Sequence, residues 1–213
     1  MGLHRTNAQE GKLLQRANAL QRRIDAWAKV QLLYMPSVGI LRTRYDTADS
    51  EVIAPEKYPL WLPSSLGPSV SIESELYQHE WQLRCAQARD ALHAIHQGLR
   101  CRSYLLKYKD RFLTGQGANT HARNAVSSIQ AKIDAAQVRY NVARNAIINI
   151  APRVNSIGWQ VEFRFLDTKD VRSMSDLLDG ETQGTKSISW IWKVRGAATS
   201  EEDREGSLEG TVI

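Results

Sequence analysis

From Ala122 to Ile150 the apolar residues recur in alternating steps of four and three: Ala122, Val126, Ile129, Ile133, Ala136, Tyr140, Ala143, Ile147 and Ile150. No polar residue interrupts the series. An α-helix turns once every 3.6 residues, so this spacing draws one continuous apolar line along a helix and fits no strand. A seam of this kind must be covered by another helix. Asn119 or Thr120 is placed to cap the helix start, and Pro152 closes its end.

The covering helix lies just before it. Between about Ser71 and Phe112, Trp81, Cys85, Ala88, Leu92, Ile95, Leu99 and Leu106 form a matching line, broken by Arg102. Ser71 is a candidate cap, with Glu73 and Glu75 suiting the positive helix start. About six residues containing Gly115 and Gly117 link the two helices, and so short a link makes them antiparallel neighbours. The glycines are read as positive-φ turn residues. The segment Thr114–Thr120 also has the look of a glycine-rich phosphate cradle, but no strand precedes it and the P-loop lysine is missing.

The flanking segments divide the chain further. Leu13, Ala17, Leu20, Ile24, Trp27 and Tyr34 mark an amphipathic helix within 1–35, with Gln31 as its polar exception. Residues 36–70 hold five of the six prolines and read as an extended connector, docked through Trp61 and Leu62. The hairpin occupies 71–153. A small aromatic-rich segment, 154–196, follows. In it Trp159, Val161, Phe163 and Phe165 alternate, as do Ile188, Trp190, Trp192 and Val194, which leaves a short strand pair open as an alternative to irregular packing on helices. Asp167 or Thr168 is placed to cap a short helix running to Leu178. The tail 197–213 has five acids against Arg204 alone and reads as disordered. The fold class is therefore mostly α: a long antiparallel helical hairpin, a third amphipathic helix and a small aromatic-rich C-terminal patch.

Constellations for chemistry are sparse. Cys85 and Cys101 are too far apart along one helix for a disulfide, which leaves reduced thiols and an intracellular setting. No His or Asn pattern completes a nucleophile around Cys101. His79, His93 and His96 lack a Glu or Cys at ligand spacing, so no metal or other cofactor is expected. Asp167, Asp170, Asp176 and Glu181 share one stretch rather than converging from separate rigid elements, as a two-metal nuclease would require. No catalytic residue is assigned and the chain is read as a non-enzyme. No stretch is apolar enough for a membrane span.

Charge gives the one functional lead. The net charge is +5, and 71–153 carries twelve Lys/Arg against six Asp/Glu. Arg100, Arg102, Lys107, Lys109 and Arg111, with Arg123 across the turn, gather at one end of the hairpin, with Asp110 the sole acid among them. Such a knob can neutralise phosphates without reading base sequence, so non-specific DNA is the candidate partner. The competing reading is a solvated helix end whose cations complement the helix dipole.

Wording adds a resemblance. "WAKVQLLYMP" at Trp27–Pro36, "LPSS" at Leu62–Ser65, "LRCRSYLLKYKDRFLTGQGANTHA" at Leu99–Ala122 and "SWIW" at Ser189–Trp192 occur in that order. Together they resemble the C-terminal region of fungal KDZ-type (Kyakuja–Dileera–Zisupton) transposases, over about residues 20–194. The Leu99–Ala122 block is the specific part. The resemblance implies a parent DDE-type, metal-dependent DNA transposase with an RNase H-like core and a cysteine-rich zinc module, both upstream of the matched region. It carries no catalytic acid or zinc ligand onto this chain. It implies a fragment serving assembly or weak DNA contact, packed on an upstream core or self-associated through its helices, and a nuclear location. The rival expectation is a purely structural coiled-coil module with no nucleic-acid role.

Overall fold

The computed structural model describes residues 6–48, 54–67, 70–174 and 188–194. The protein is mostly helical, and the described residues contain no strand. They fall into two compact units, Met1–Tyr77 and Gln78–Ile213.

The first unit opens with α1, Asn7–Tyr34. Thr6 and Gln9 form a reciprocal capping box at its start. Pro36 ends it as expected, but the chain does not stay extended. A second helix, α2, covers Val38–Ala48, a stretch free of proline, and only short 3₁₀ turns follow at Pro55–Lys57 and Pro63–Ser65. The α1 stripe also ends differently. Tyr34 is exposed, while Ile24, Gln31, Met35 and Val38 are buried. Gln31, the polar exception, anchors the connector. Its side-chain amide donates to the Leu60 and Trp61 carbonyls at 3.0 and 2.9 Å, and its Oε1 accepts from Arg42 at 2.8 Å. The Arg42 guanidinium lies 5.4 Å over Trp61, whose ring meets Tyr45 and Tyr58 edge-on. Trp61 therefore docks as expected, with a left-handed backbone (φ 45°) that this dense packing holds in place.

The second unit is built on the hairpin. Helix α3 spans Ser74–Phe112 and α4 spans Gln116–Ile150. The connecting turn, 113–115, is shorter than expected because α4 starts before Asn119 and Thr120. These two side chains donate backward to the Gly115 and Gln116 carbonyls rather than capping the helix. Gly115, at φ 93°, makes the reversal, whereas Gly117 is helical. Ser71 likewise lies outside α3 and does not cap it. The register is antiparallel. Gly98 faces Ile133, and Arg102 donates to Gln130, four residues forward in α3 and three back in α4.

One core serves the hairpin and the C-terminal segment together. Ala88, Leu92, Ile95, Leu99, Ile133, Tyr140 and Ile147 pack with Phe163, Leu166 and Ile191. The aromatic segment forms helical turns rather than strands: α5 at Trp159–Glu162, and 3₁₀ turns at Thr168–Asp170 and Trp190–Lys193. Hydrogen bonds from side chains replace a strand ladder. The Tyr140 hydroxyl donates to the Arg164 carbonyl at 2.7 Å, Arg144 to that of Phe163 at 3.0 Å and Asn141 to that of Leu166 at 3.2 Å. Ser189 and Trp192 donate to the Asp170 and Arg172 carbonyls. Asp167 caps a 3₁₀ turn that ends at Asp170; residues 175–178 of the expected helix lie outside the described residues, as does the tail 197–213.

Tyr140 is fully buried, and burial pushes its phenol well above the ordinary tyrosine range, so it stays a donor. Tyr140→Phe is expected to cost about 1–2 kcal/mol in urea unfolding, because the Arg164 carbonyl loses its partner. An unchanged midpoint would show that water satisfies that carbonyl instead.

Candidate nucleic-acid interface

Burial divides the hairpin in two. In α3 no residue beyond Leu99 is buried, and in α4 none before Ile133 is. The distal part is therefore a two-helix finger that extends roughly 20 Å beyond Leu99, at 1.5 Å per residue, with Ser173 bonded to Ser103 beside its base. Its seam is only half covered: Ala122, Val126 and Ile129 are half-buried and Leu106 is 37% exposed.

The six basic residues read from the sequence all lie on this finger, but not on one face. Arg100, Lys107 and Arg111 are exposed and recur at helical spacing on a flank of α3, roughly 60–120° around the helix from Leu99 and Leu92. Arg102 is half-buried and turned toward α4, where its guanidinium donates to Gln130 Oε1 at 2.5 Å. Lys109 is half-buried nearer that side, and Arg123 is exposed on α4. Asp110, one residue before Arg111, is rotated off the outer stripe.

The stripe also carries residues that charge counting missed. Tyr104, Tyr108 and Phe112 follow at i, i+4 and i+8 between the cations and are 68%, 44% and 61% exposed. The Tyr108 and Phe112 rings lie 5.2 Å apart, with Arg111 5.8 Å over Phe112. At the base of the stripe Arg100 lies 5.7 Å over Trp192. There a cleft of about 290 Å³ opens between Arg100, Tyr104 and Lys107 on one side and Met174 and Trp192 on the other. The period-four recurrence of Tyr104, Tyr108 and Phe112 is visible in the sequence as a second signal beside the charges.

A larger cleft, about 740 Å³, lies at the other end of the hairpin and is lined by Trp81, Cys85, Trp159, Phe163 and Trp190. Arg89 crosses it, paired with Glu162 at 2.6 Å and lying 5.4 Å over Phe163. Burial pushes the Cys85 thiol up, so it is a packing group there and not a thiolate nucleophile.

Two helix histidines and two aspartates have structural partners. His96 is buried, with Nε2 2.9 Å from the Ile191 carbonyl and its ring stacked on Trp192, while His93 bonds Gln97. Asp167 and Asp170 cap their own turn; Asp176 and Glu181 lie outside the described residues. Among the described residues no group of three or more His, Cys, Asp or Glu is placed to hold a metal ion, and no helix is long and apolar enough to cross a membrane. Comparison with protein-family models, curated proteins and solved structures finds no match.

Proposed function

We propose that this chain is a non-catalytic helical region that contacts nucleic-acid phosphates through its hairpin finger. The observation that carries the reading is the finger itself: an extension beyond Leu99, with Lys107 and Arg111 exposed along α3, Arg100 at its base over Trp192, Arg123 exposed on α4, and Asp110 the one acid between Asp90 and Asp134. Cations set on a rigid rod away from the core reach a polyanion at little conformational cost. Lys/Arg–phosphate contacts of this kind give affinity without base sequence. The resemblance of Leu99–Ala122 to KDZ-type transposases falls on this same finger and supports a transposase-derived, nuclear origin.

With about three to five phosphates engaged, duplex binding is expected in the micromolar-or-weaker range, with a log–log salt slope of about −3 to −4.5. Changing Lys107, Lys109 and Arg111 to Ala should flatten the slope and weaken unrelated sequences alike. Fluorescence anisotropy at two salt concentrations makes the measurement, and undetectable binding at low salt would overturn the reading. No metal-dependent strand cleavage is expected with Mg²⁺ or Mn²⁺. Cleavage abolished by a change at Asp167 or Asp170 would restore an enzymatic role.

The half-covered seam at Ala122, Val126 and Ile129 favours a second reading, in which the finger packs on another helix, from a second copy or a larger body. Sedimentation equilibrium of the wild type against Val126→Gln, which changes no charge on the finger, separates the two, since the substitution would weaken an assembly and leave the cations for phosphate in place.

A further inference from the structure

The outer stripe of α3 alternates two kinds of group. Arg100, Lys107 and Arg111 supply positive charge, and Tyr104, Tyr108 and Phe112 supply exposed rings between them. Phosphate contact alone explains the first set and leaves the second without a role. Large aromatic side chains held open to solvent along a basic track are the means by which proteins bind single strands, because every base offers a π-face and stacking tolerates any sequence.

We propose that this stripe binds single-stranded nucleic acid, with the backbone along Arg100, Lys107 and Arg111 and bases stacked on Tyr104, Tyr108 and Phe112. The inference rests on the phosphate-contact reading and narrows it. In a duplex the base faces are hidden in the stack, so exposed rings would meet only sugar and phosphate. In a single strand the faces are available. The cleft beside Trp192 extends the track: its ring already carries Arg100 on one side, and Tyr104 and Lys107 form the opposite wall. A guanidinium poised over an aromatic ring is itself a stacking surface.

The chemistry fits a polynucleotide better than a lipid surface. A peripheral membrane helix sinks a broad aliphatic face into the headgroup region. Here Leu106, Val126 and Ile129 belong to the seam between α3 and α4, so the outer stripe presents rings and cations rather than an aliphatic wedge.

The test uses the full chain with two labelled probes of equal phosphate number, an oligo-dT strand and a blunt mixed-sequence duplex, read by fluorescence anisotropy. A third arm measures co-sedimentation with phosphatidylserine–phosphatidylcholine vesicles. The wild type should prefer the single strand by about tenfold. Y104A/Y108A should weaken oligo-dT binding by at least about fivefold, the lower end of what one lost base stack costs, and leave duplex binding unchanged. K107A/R111A should weaken both probes. Because all four side chains are exposed, thermal unfolding of both double variants should match the wild type, and Y104W/Y108W should retain binding. Equal affinity for both probes, unmoved by Y104A/Y108A, would overturn the single-strand inference and leave the phosphate reading standing. Binding to neither probe would overturn both readings. Vesicle binding without nucleic-acid binding would do the same and identify a membrane surface as the partner.

Discussion

Ile133→Asp is expected to cost about 3–5 kcal/mol and to unfold a large fraction of the hairpin unit in mild urea. Ile133 is fully buried where α4 meets Gly98 of α3. An aspartate there loses the apolar burial of isoleucine and places a carboxylate with no cation within the core. The neighbours named by the core, Leu92, Ile95, Leu99 and Ala136, offer no side-chain hydrogen bond. Urea titration followed by far-ultraviolet circular dichroism gives the number, and a loss under about 1 kcal/mol would mean that the contact is not part of the stable core.

The same contact carries a coupled effect. A Cβ added at Gly98 would sit 2.6 Å from Ile133 Cγ1, an atom held close to the backbone in a filled core. Helix propensity alone would make Gly98→Ala stabilising by about 1 kcal/mol. Overpacking should win here, giving a net loss of about 1–2 kcal/mol. In an Ile133→Ala background the clash is gone, so the glycine substitution should become stabilising. That reversal of sign in a double-mutant cycle tests the antiparallel register itself.

The antiparallel pairing of the two helices was legible because the α4 seam has no competing reading; its register, with Gly98 against Ile133, was not, since a seam fixes the buried face and not the pairing. Nine apolar positions in steps of four and three admit only a helix with a partner. The proximal positions behave as the spacing requires, and Arg102, where the α3 line breaks, is where burial on α3 has ended. Other parts were hidden by physical ambiguity. Prolines at 36, 55, 59, 63 and 68 suggested an extended connector, yet Pro36 sits just before a helix and leaves Val38–Ala48 free to form it. Alternating aromatics imitate a strand, but Ile191 enters the core while Trp190 and Trp192 pack to either side of it, which a 3₁₀ turn also achieves. The basic residues of the finger were legible as a set. Sorting them required helix rotation: it puts Arg100, Lys107 and Arg111 outside with the rings and sends Arg102 to Gln130.

Acid should weaken the hairpin unit through His96, and the direction follows from its surroundings. The ring is 3% exposed, stacked on Trp192 at 4.5 Å, with Nε2 2.9 Å from the Ile191 carbonyl. A carbonyl only accepts, so Nε2 carries the proton, and Nδ1 has no hydrogen-bond partner. Protonating Nδ1 would bury a charge with nothing to receive its hydrogen. Burial is the main force holding the imidazole down to about 4; the Ile191 carbonyl opposes it, and the positive charge of Arg100, followed by His93, adds to the depression. The unfolded chain takes up this proton near pH 6.5, while the folded one resists until about 4. Stability from neutral His96 is therefore fully present above pH 6.5 and is lost as pH falls toward 4. At about 1.36 kcal/mol per pH unit the ceiling is near 3.4 kcal/mol, and solvent screening reduces the expected loss to about 2 kcal/mol. Asp167, held below the ordinary carboxylate range chiefly by the Lys169 backbone N–H, titrates beneath this window. Urea unfolding at pH 7.5, 6, 5 and 4 should show the wild type losing about 2 kcal/mol more than His96→Gln across the series. Parallel curves for the two proteins would show that His96 protonates as readily in the fold as outside it. Since Trp192 bears both His96 and Arg100, the same acidification should shift the tryptophan fluorescence of the cleft before global unfolding.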